Sequence, residues 1–327
     1  MKKIISPALA ILIAALVAPP LQADVKTREK TTFSLEGFLG GVVRFFGGRN
    51  AREGVESTVA VKGPRKATTN NQTGQIIDLD ERRVYNLDMR RREYRVQTFE
   101  ELRAEFEKAK AEAEKEAADA SAEDREQMEQ AGAELEFDVD VTETGQRRSM
   151  LGHDTREVVL TITARQRGRT LEEGGGFVLT QTMWLAPRIA ALDELAAFDR
   201  KYIEAVYGES FIGDIQQLAG MMALYPAFTN MATRMQEEGS KLDGTPLSTT
   251  TVFESVRSAE QLKAAQQERQ SSGGGGIGGL LGRRIMGNRG EPQARSRIMT
   301  TTHEMLSIDT TVDASDVAIP ANFRERK

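Results

Sequence analysis

Short stretches in which apolar residues occupy every second position constrain the fold of this chain more than any other feature. Between residues 155 and 165, Val158, Leu160 and Ile162 occupy one side of an extended chain, and mostly polar residues occupy the other. A period of two indicates a β-strand with one buried face. Similar stretches predict strands at 25–37, 55–61, 135–143, 155–165, 177–185, 246–256 and 296–309, with three more between 74 and 96. Their short spacing is typical of an antiparallel meander.

A helical pattern interrupts these strands in the middle of the chain. Residues 192–207 and 211–235 repeat apolar side chains at steps of three and four, so they predict helices within a segment of about 188–238. Pro226 should end or kink the second helix. Strands resume at residue 246, and the sequence contains no internal repeat. This order predicts an α+β fold, an antiparallel sheet with inserted helices, and not a βαβ fold.

Residues 99–133 form a charged insertion with 12 acidic and five basic residues and no proline. Its composition favours helix. Its apolar seam begins with Phe99, Leu102 and Phe106 and continues only with alanines. The segment is therefore either a solvated helix whose first turns rest on the body or a partner-binding coiled coil. In either case we expect it to share little apolar area with the core, so that the sheet folds without it.

The N-terminal residues 1–23 have the layout of a secretory signal peptide. Lys2 and Lys3 precede a mostly apolar run at 4–18, and Ala23 provides a small residue before the expected cut. A retained N-terminal anchor is the other reading, but the apolar run is short for a bilayer span. We expect a protein of the periplasm.

The composition excludes several kinds of chemistry. The sequence has no cysteine, so disulfides and thiolate metal sites are excluded. With only two histidines, we do not expect a His-rich metal centre. The sequence contains neither a Gly-x-Ser-x-Gly elbow nor a His-Glu-x-x-His motif, and we expect His153 and His303 to be ordinary strand residues. The net charge of −5 gives no overall basic field for nucleic acid. We therefore expect a protein that is not an enzyme, with no cofactor, no metal and no nucleic-acid partner.

Two further features leave alternatives open. Nine of the 18 residues at 273–290 are glycine, with apolar residues and arginines among them, and 38–49 is similar in character. These segments are flexible loops or mobile flaps that touch a membrane surface or an apolar ligand. Six arginines lie between 82 and 95. They form either a solvated hairpin paired with neighbouring acids or a dock for lipid headgroups or the acidic helix.

Several short segments in the predicted strands and turns resemble those of a known superfamily. They are Val61-Lys62-Gly63-Pro64-Arg65-Lys66, Ile76-Ile77-Asp78-Leu79-Asp80, Val84-Tyr85-Asn86-Leu87-Asp88, Gly152-His153-Asp154-Thr155, Met183-Trp184-Leu185-Ala186-Pro187 and Ile319-Pro320-Ala321-Asn322-Phe323. The series resembles secreted bacterial proteins of the lipoprotein-carrier (LolA-like) superfamily. The resemblance covers most of 24–98 and 134–327, but neither 99–133 nor 273–290. It implies a strongly curved antiparallel half-barrel closed by helices, with an apolar interior that binds acyl chains.

The candidate ligand-binding residues come from two apolar faces. The strand residues are Val158, Leu160, Ile162, Phe177, Leu179 and Met183, and the helix residues are Leu218, Met222 and Phe228. The helical stripe either packs as core or forms an adaptable methionine-rich lid. Two functions follow from these alternatives. The first is a carrier for an apolar ligand, such as a lipid or lipoprotein acyl chain. The second is a structural or protein-interaction module of the envelope, with a packed barrel and the acidic helix as its contact with a partner protein.

Overall fold

The structure, a computed structural model, describes residues 24–35, 54–119, 134–222, 226–271 and 293–326. Twelve strands form one curved, unclosed sheet in the order β12-β6-β5-β4-β3-β2-β1-β11-β10-β9-β8-β7. All neighbours are antiparallel except β12 and β6. The strands are β1 Val25–Leu35, β2 Val55–Lys62, β3 Arg65–Asn70, β4 Thr73–Asp78, β5 Arg83–Asp88, β6 Glu93–Thr98, β7 Leu135–Met150, β8 His153–Gln166, β9 Gly176–Ala186, β10 Thr245–Val256, β11 Arg295–Asp309 and β12 Arg324–Glu325.

The helices interrupt this strand order at several points. They are α1 Phe99–Asp119, α2 Leu171–Gly174, α3 Ala190–Met222, α4 Pro226–Glu238 and α5 Ala259–Ser271, with 3₁₀ turns at Gly239–Leu242 and Ala314–Val317. Gly208 adopts φ 75° and ψ 179° within α3, which separates it into two helical segments. Pro226 is the first residue of α4, where its missing N–H costs nothing. The predicted α+β class is therefore confirmed, with helices inserted between antiparallel strands.

One face of the sheet, which we call the helix face, carries α1, α3 and α4. Val25, Val61, Ile77 and Val84 from strands β1, β2, β4 and β5 are all buried on this face. They form a core cluster with Phe198 and Val206 of α3. In the first segment of α3, Leu192, Leu195 and Tyr202 also pack against this cluster, as the sequence pattern over 192–207 predicts.

Helix α1 contributes more to this core than the sequence predicts. Phe99 is 0% exposed and belongs to the same cluster, against which Leu102 also packs. The ring of Phe106 lies 5.1 Å from that of Tyr207, and Arg103 Nε donates to the Val206 carbonyl at 2.7 Å. The first turns of the helix therefore rest on the body, as one of the two alternatives predicts, but the expectation that residues 99–133 share little with the core is wrong for these turns. The reason is that large apolar side chains occur only there, whereas the later seam is alanine. Residues 120–133 lie outside the described residues.

The opposite face of β2–β5 is covered by the end of the chain. Ala60, Ala67, Ile76, Tyr85 and Leu87 form a second cluster there. Val312 and Val317 are buried in the same cluster, and Ile319 and Phe323 pack on it. Polar contacts hold this segment in place: Lys62 Nζ donates to the Val312 carbonyl at 2.8 Å, and Lys26 Nζ donates to Asp316 at 2.7 Å.

Candidate functional site

The six predicted strand residues lie together on the helix face. In the antiparallel register of β8 and β9, Val158 pairs with Met183 and Ile162 pairs with Leu179. Leu160 lies between them on β8, and Phe177 lies one step beyond Leu179 on β9, opposite Ala164. Directly opposed residues of an antiparallel pair point to the same face, so all six share one side.

Val158 and Leu160 belong to a filled core, and Ile162 and Met183 are partly buried and pack against it. Val158 is 0% exposed and Leu160 is 6% exposed. They pack with Val141 and Leu185, and Met235 of α4 and Leu242 of the adjoining 3₁₀ turn lie against them. Helix α4 therefore fills the space above this part of the sheet, as a packed barrel requires.

The apolar face continues beyond this cluster, across six strands. Successive register pairs connect one residue from each strand of β7, β8, β9, β10, β11 and β1, all of them half-buried. We call this set the apolar row: Val139, Ile162, Leu179, Phe253, Met299 and Leu35. Five interstrand steps of about 4.8 Å give it a length of about 24 Å. No buried cluster of the described residues includes its four members on β9, β10, β11 and β1.

Partly exposed aromatic side chains flank the apolar row on both sides: Phe177 lies beyond Leu179 on β9, and Phe33 lies beside Leu35 on β1, opposite Thr301 of β11. Phe177 is 48% exposed, and its ring stacks on that of Phe253 with centroids 5.5 Å apart and an interplanar angle of 10°. Phe33 on β1 is 37% exposed. Partly exposed aromatic rings beside half-buried aliphatic side chains form a surface on which an elongated apolar molecule can lose its contact with water.

A polar row lies directly beside the apolar one on the same face. Gln181, Thr251 and Thr301 are consecutive register partners on β9, β10 and β11. Gln181 Nε2 donates to Thr251 Oγ1 at 3.3 Å. The site therefore has apolar side chains in one row and hydrogen-bonding side chains in the next. A ligand with both apolar and polar groups would be oriented by these two rows.

Beyond the polar row, His303 of β11 forms an ion pair with Glu29 of β1. His303 Nε2 lies 3.1 Å from Glu29 Oε2, and Thr27 Oγ1 donates to Glu29 Oε1 at 2.8 Å. The Glu29 side chain is only 18% exposed. Nearby, Lys66 Nζ donates to both carboxylate oxygens of Asp199 at 2.6 and 2.7 Å, which ties α3 to β3.

The two groups of the His303–Glu29 pair shift one another's pKa. The hydrogen bond to Glu29 raises the pKa of His303 above its ordinary value of 6.5, and burial opposes this. The hydrogen bond from His303 lowers the pKa of Glu29 below 4.5, burial opposes it, and Thr27 assists it. The histidine's contribution to stability is complete below 6.5 and is lost as pH rises through its folded pKa. The glutamate's contribution is complete above 4.5 and is lost as pH falls through its folded pKa. The pair therefore stabilises the fold most at mildly acidic pH.

Two clefts in the described part of the chain lie away from the apolar row. A cleft of about 510 Å³ opens between Arg65, Arg83, Tyr85 and Glu101 and is lined mainly by polar groups. Another, of about 210 Å³, lies between the β3–β4 region and α3, at Pro64 and Lys201. Neither contains a residue that the sequence predicted to bind an apolar ligand.

Several sequence predictions fall outside what the structure describes. The side chains of Leu218, Met222 and Phe228 are among them, as are residues 1–23 and both glycine-rich segments. Over the described ranges, no group of three or more His, Asp or Glu side chains could hold a metal ion. In those same ranges, no helix combines the length and the apolar character that a membrane crossing requires.

Sequence reasoning did not single out Phe253, Met299 or Leu35 as site residues. Each occurs in a predicted strand, so its alternating pattern was visible. What was missing was the register, which places Phe253 beside Leu179 although the two residues are 74 positions apart in the chain. The His303–Glu29 pair was missed for the same reason.

Comparison with known proteins finds no family model, no curated protein and no solved structure that matches this chain.

Proposed function

We propose that this protein is a secreted, periplasmic carrier-type binding protein for an apolar ligand, specifically a lipid or lipoprotein acyl chain, and that it is not an enzyme. The observation that carries this proposal is the apolar row. Six half-buried apolar side chains lie side by side across an open sheet, and most of them contribute to no buried cluster of the described residues. A continuous row of this kind loses water most effectively against another elongated apolar molecule.

The dimensions of the row suit a single extended hydrocarbon chain. The row is about 24 Å long, and the polar row with Gln181 and Thr251 borders it on one side across β9, β10 and β11. A bulky, compact ligand would cover both rows and leave the polar groups without partners, at a cost in free energy. A narrow chain avoids this cost.

Two further observations support the proposal. The sheet is curved and unclosed, as a half-barrel of the LolA-like kind requires. Residues 1–23 have the order of basic, apolar and small residues found in secretory signal peptides.

The test compares two matched variants for the binding of a fluorescent fatty acid. Leu179→Gln places a polar amide in the apolar row, whereas Val252→Gln places the same amide on the opposite face of the neighbouring strand β10. Contact with a leucine side chain is worth about 1.5–3 kcal/mol, so Leu179→Gln should weaken binding by about tenfold or more. Val252→Gln should bind as the wild type does.

Mass spectrometry of organic extracts from the purified wild-type protein would identify a ligand that is retained through purification. If the wild type binds no fatty acid, or if both variants bind equally well, the carrier proposal is wrong.

The filled cluster under α4 favours a second candidate, a structural or protein-interaction module of the envelope. Val158 and Leu160 are packed rather than open. The acidic side chains of Glu105, Glu107 and Glu112 on α1 are exposed, where they could contact a partner protein. This candidate predicts that the wild type binds no apolar probe and that removal of residues 107–133 abolishes partner binding.

A further inference from the structure

Two arginine-rich stretches that are far apart in the sequence meet at one edge of the sheet. The turn at 89–92 joins β5 to β6, and β12 pairs in parallel with β6. The N–H of Arg324 donates to the Arg92 carbonyl at 3.1 Å, and the N–H of Arg326 donates to the Tyr94 carbonyl at 2.8 Å. This pairing creates what we call the arginine edge: Arg90, Arg91, Arg92, Arg95, Arg324 and Arg326.

The arginine edge carries an excess of positive charge that faces water. All six of its arginines are exposed. Glu93 neutralises Arg324 at 2.9 Å, and Asp88 lies 3.7 Å from Arg91. In the part of the chain that the structure describes, Arg90, Arg92, Arg95 and Arg326 make no ion pair. With Asp88, Glu93 and Glu325 counted against the six arginines, three positive charges remain, in a chain whose overall charge is −5.

Hydrogen bonds order the backbone that carries these arginines. The Asp88 carboxylate accepts the N–H groups of Arg90 and Arg91 at 3.1 and 2.9 Å, which fixes the turn. Arg95 and Arg326 both line a small cleft of about 190 Å³, together with Asn86, Tyr94, Asp88 and Glu93. Because Asp88 and Glu93 pair with Arg91 and Arg324, neither carboxylate is paired with Arg95 or Arg326. Two guanidinium groups at one small cleft are suited to a single phosphate group, to which arginine donates two parallel hydrogen bonds.

We propose that the arginine edge docks this protein on an anionic phospholipid surface. The charges lie on the β5–β6 turn, on β6 and at the outermost strand β12, so they can meet a flat layer of phosphate groups edge-on. The acidic remainder of the molecule then stays away from the layer. A polyanion that wraps the protein, such as a nucleic acid, would contact that acidic remainder and be repelled. This docking does not depend on the apolar row.

The test is co-sedimentation of the purified protein with vesicles. Vesicles of phosphatidylcholine containing phosphatidylglycerol are compared with vesicles of phosphatidylcholine alone. The edge variant combines Arg90→Ser, Arg95→Ser and Arg326→Ser. The control variant combines Arg147→Ser, Arg167→Ser and Arg169→Ser, which are exposed arginines elsewhere on the molecule. Both variants lose three positive charges, so they have the same net charge.

We expect the wild type and the control variant to bind the phosphatidylglycerol vesicles and to be released by high salt. Because each arginine near an anionic surface contributes roughly a fivefold factor in binding, the edge variant should bind roughly a hundredfold more weakly. The proposal is overturned if the wild type does not bind, if both variants weaken equally, or if vesicles without phosphatidylglycerol bind as well. Tighter wild-type binding to a single-stranded oligonucleotide than to the vesicles would also overturn it.

Discussion

Replacing Phe99 by alanine should destabilise the whole domain, although Phe99 begins a highly charged helix. The side chain is 0% exposed and belongs to the cluster that joins the sheet to α3. Its ring packs edge-on against that of Tyr202, with centroids 5.4 Å apart. Truncation of a fully buried phenylalanine costs about 3–5 kcal/mol, of which about 1 kcal/mol comes from the ring pair.

The measurement is the free energy of unfolding in urea, followed by circular dichroism. Phe33→Ala is the matched control, because Phe33 is the same residue type in a strand but is 37% exposed. The control should lose less than about 1 kcal/mol. If Phe99→Ala lowers the free energy of unfolding no more than Phe33→Ala does, then Phe99 does not stabilise the core and the interpretation of α1 as part of the core is wrong.

A pair of deletions locates where the contribution of α1 ends. Removing residues 107–133 keeps Phe99, Leu102 and Phe106 and should preserve a cooperative transition. Removing 99–133 removes all three and should broaden the transition or abolish it. Equal effects of the two deletions would mean that the first two turns are not part of the core.

Two further predictions concern local contacts. Thr98→Ala should lower the free energy of unfolding by about 1 kcal/mol in the same urea assay. The reason is a reciprocal cap at the start of α1: Thr98 Oγ1 accepts the N–H of Glu101, and the Glu101 carboxylate accepts the N–H of Thr98. An unchanged transition would exclude this cap as a stabilising contact. His303→Gln should reduce stability most at mildly acidic pH, where both His303 and Glu29 are charged, and least at alkaline pH, where the raised pKa of His303 has been passed. A loss that does not vary with pH in parallel unfolding curves would show that the pair does not act through charge.

The sequence predicts strands well where one face is apolar and poorly where it is not. Strands β1, β2 and β8–β11 were all predicted, because each places apolar residues at alternate positions. Strand β3, Arg65–Asn70, contains Ala67 as its only apolar residue, so alternation could not reveal it. It forms because the turn at Gly63 and Pro64 folds it back onto β2, where Ala67 pairs with Ala60. Helix α5 was not predicted for a similar reason, since its residues are mostly polar.

The candidate site could be predicted only in part, because it depends on register. A strand pattern shows which residues share a face but not which residues of another strand lie opposite them. The bulge between Phe253 and Glu254, which shifts the pairing of β10 with β11, has no strong signature in the sequence. Composition, in contrast, was sufficient to predict that the charged insertion begins as a helix, but it could not show that Phe99 is buried in the core.

The connections between elements explain why the apolar row is left half-exposed. Helix α3 follows the end of β9 at Ala186, and the chain returns to β10 at Thr245, which is the register partner of Ala186. Both connections therefore lie at the same end of these strands, and Leu179 and Phe253 lie toward the other end. Because of this placement, the effect of one substitution on the free energy of unfolding can be separated from its effect on ligand binding. If the row were part of the core, Leu179→Gln would lower the free energy of unfolding by about 2–5 kcal/mol. If the row is a ligand site, the same variant should lose about 1 kcal/mol or less while it loses affinity for the fatty acid, because the side chain already meets water in the free protein.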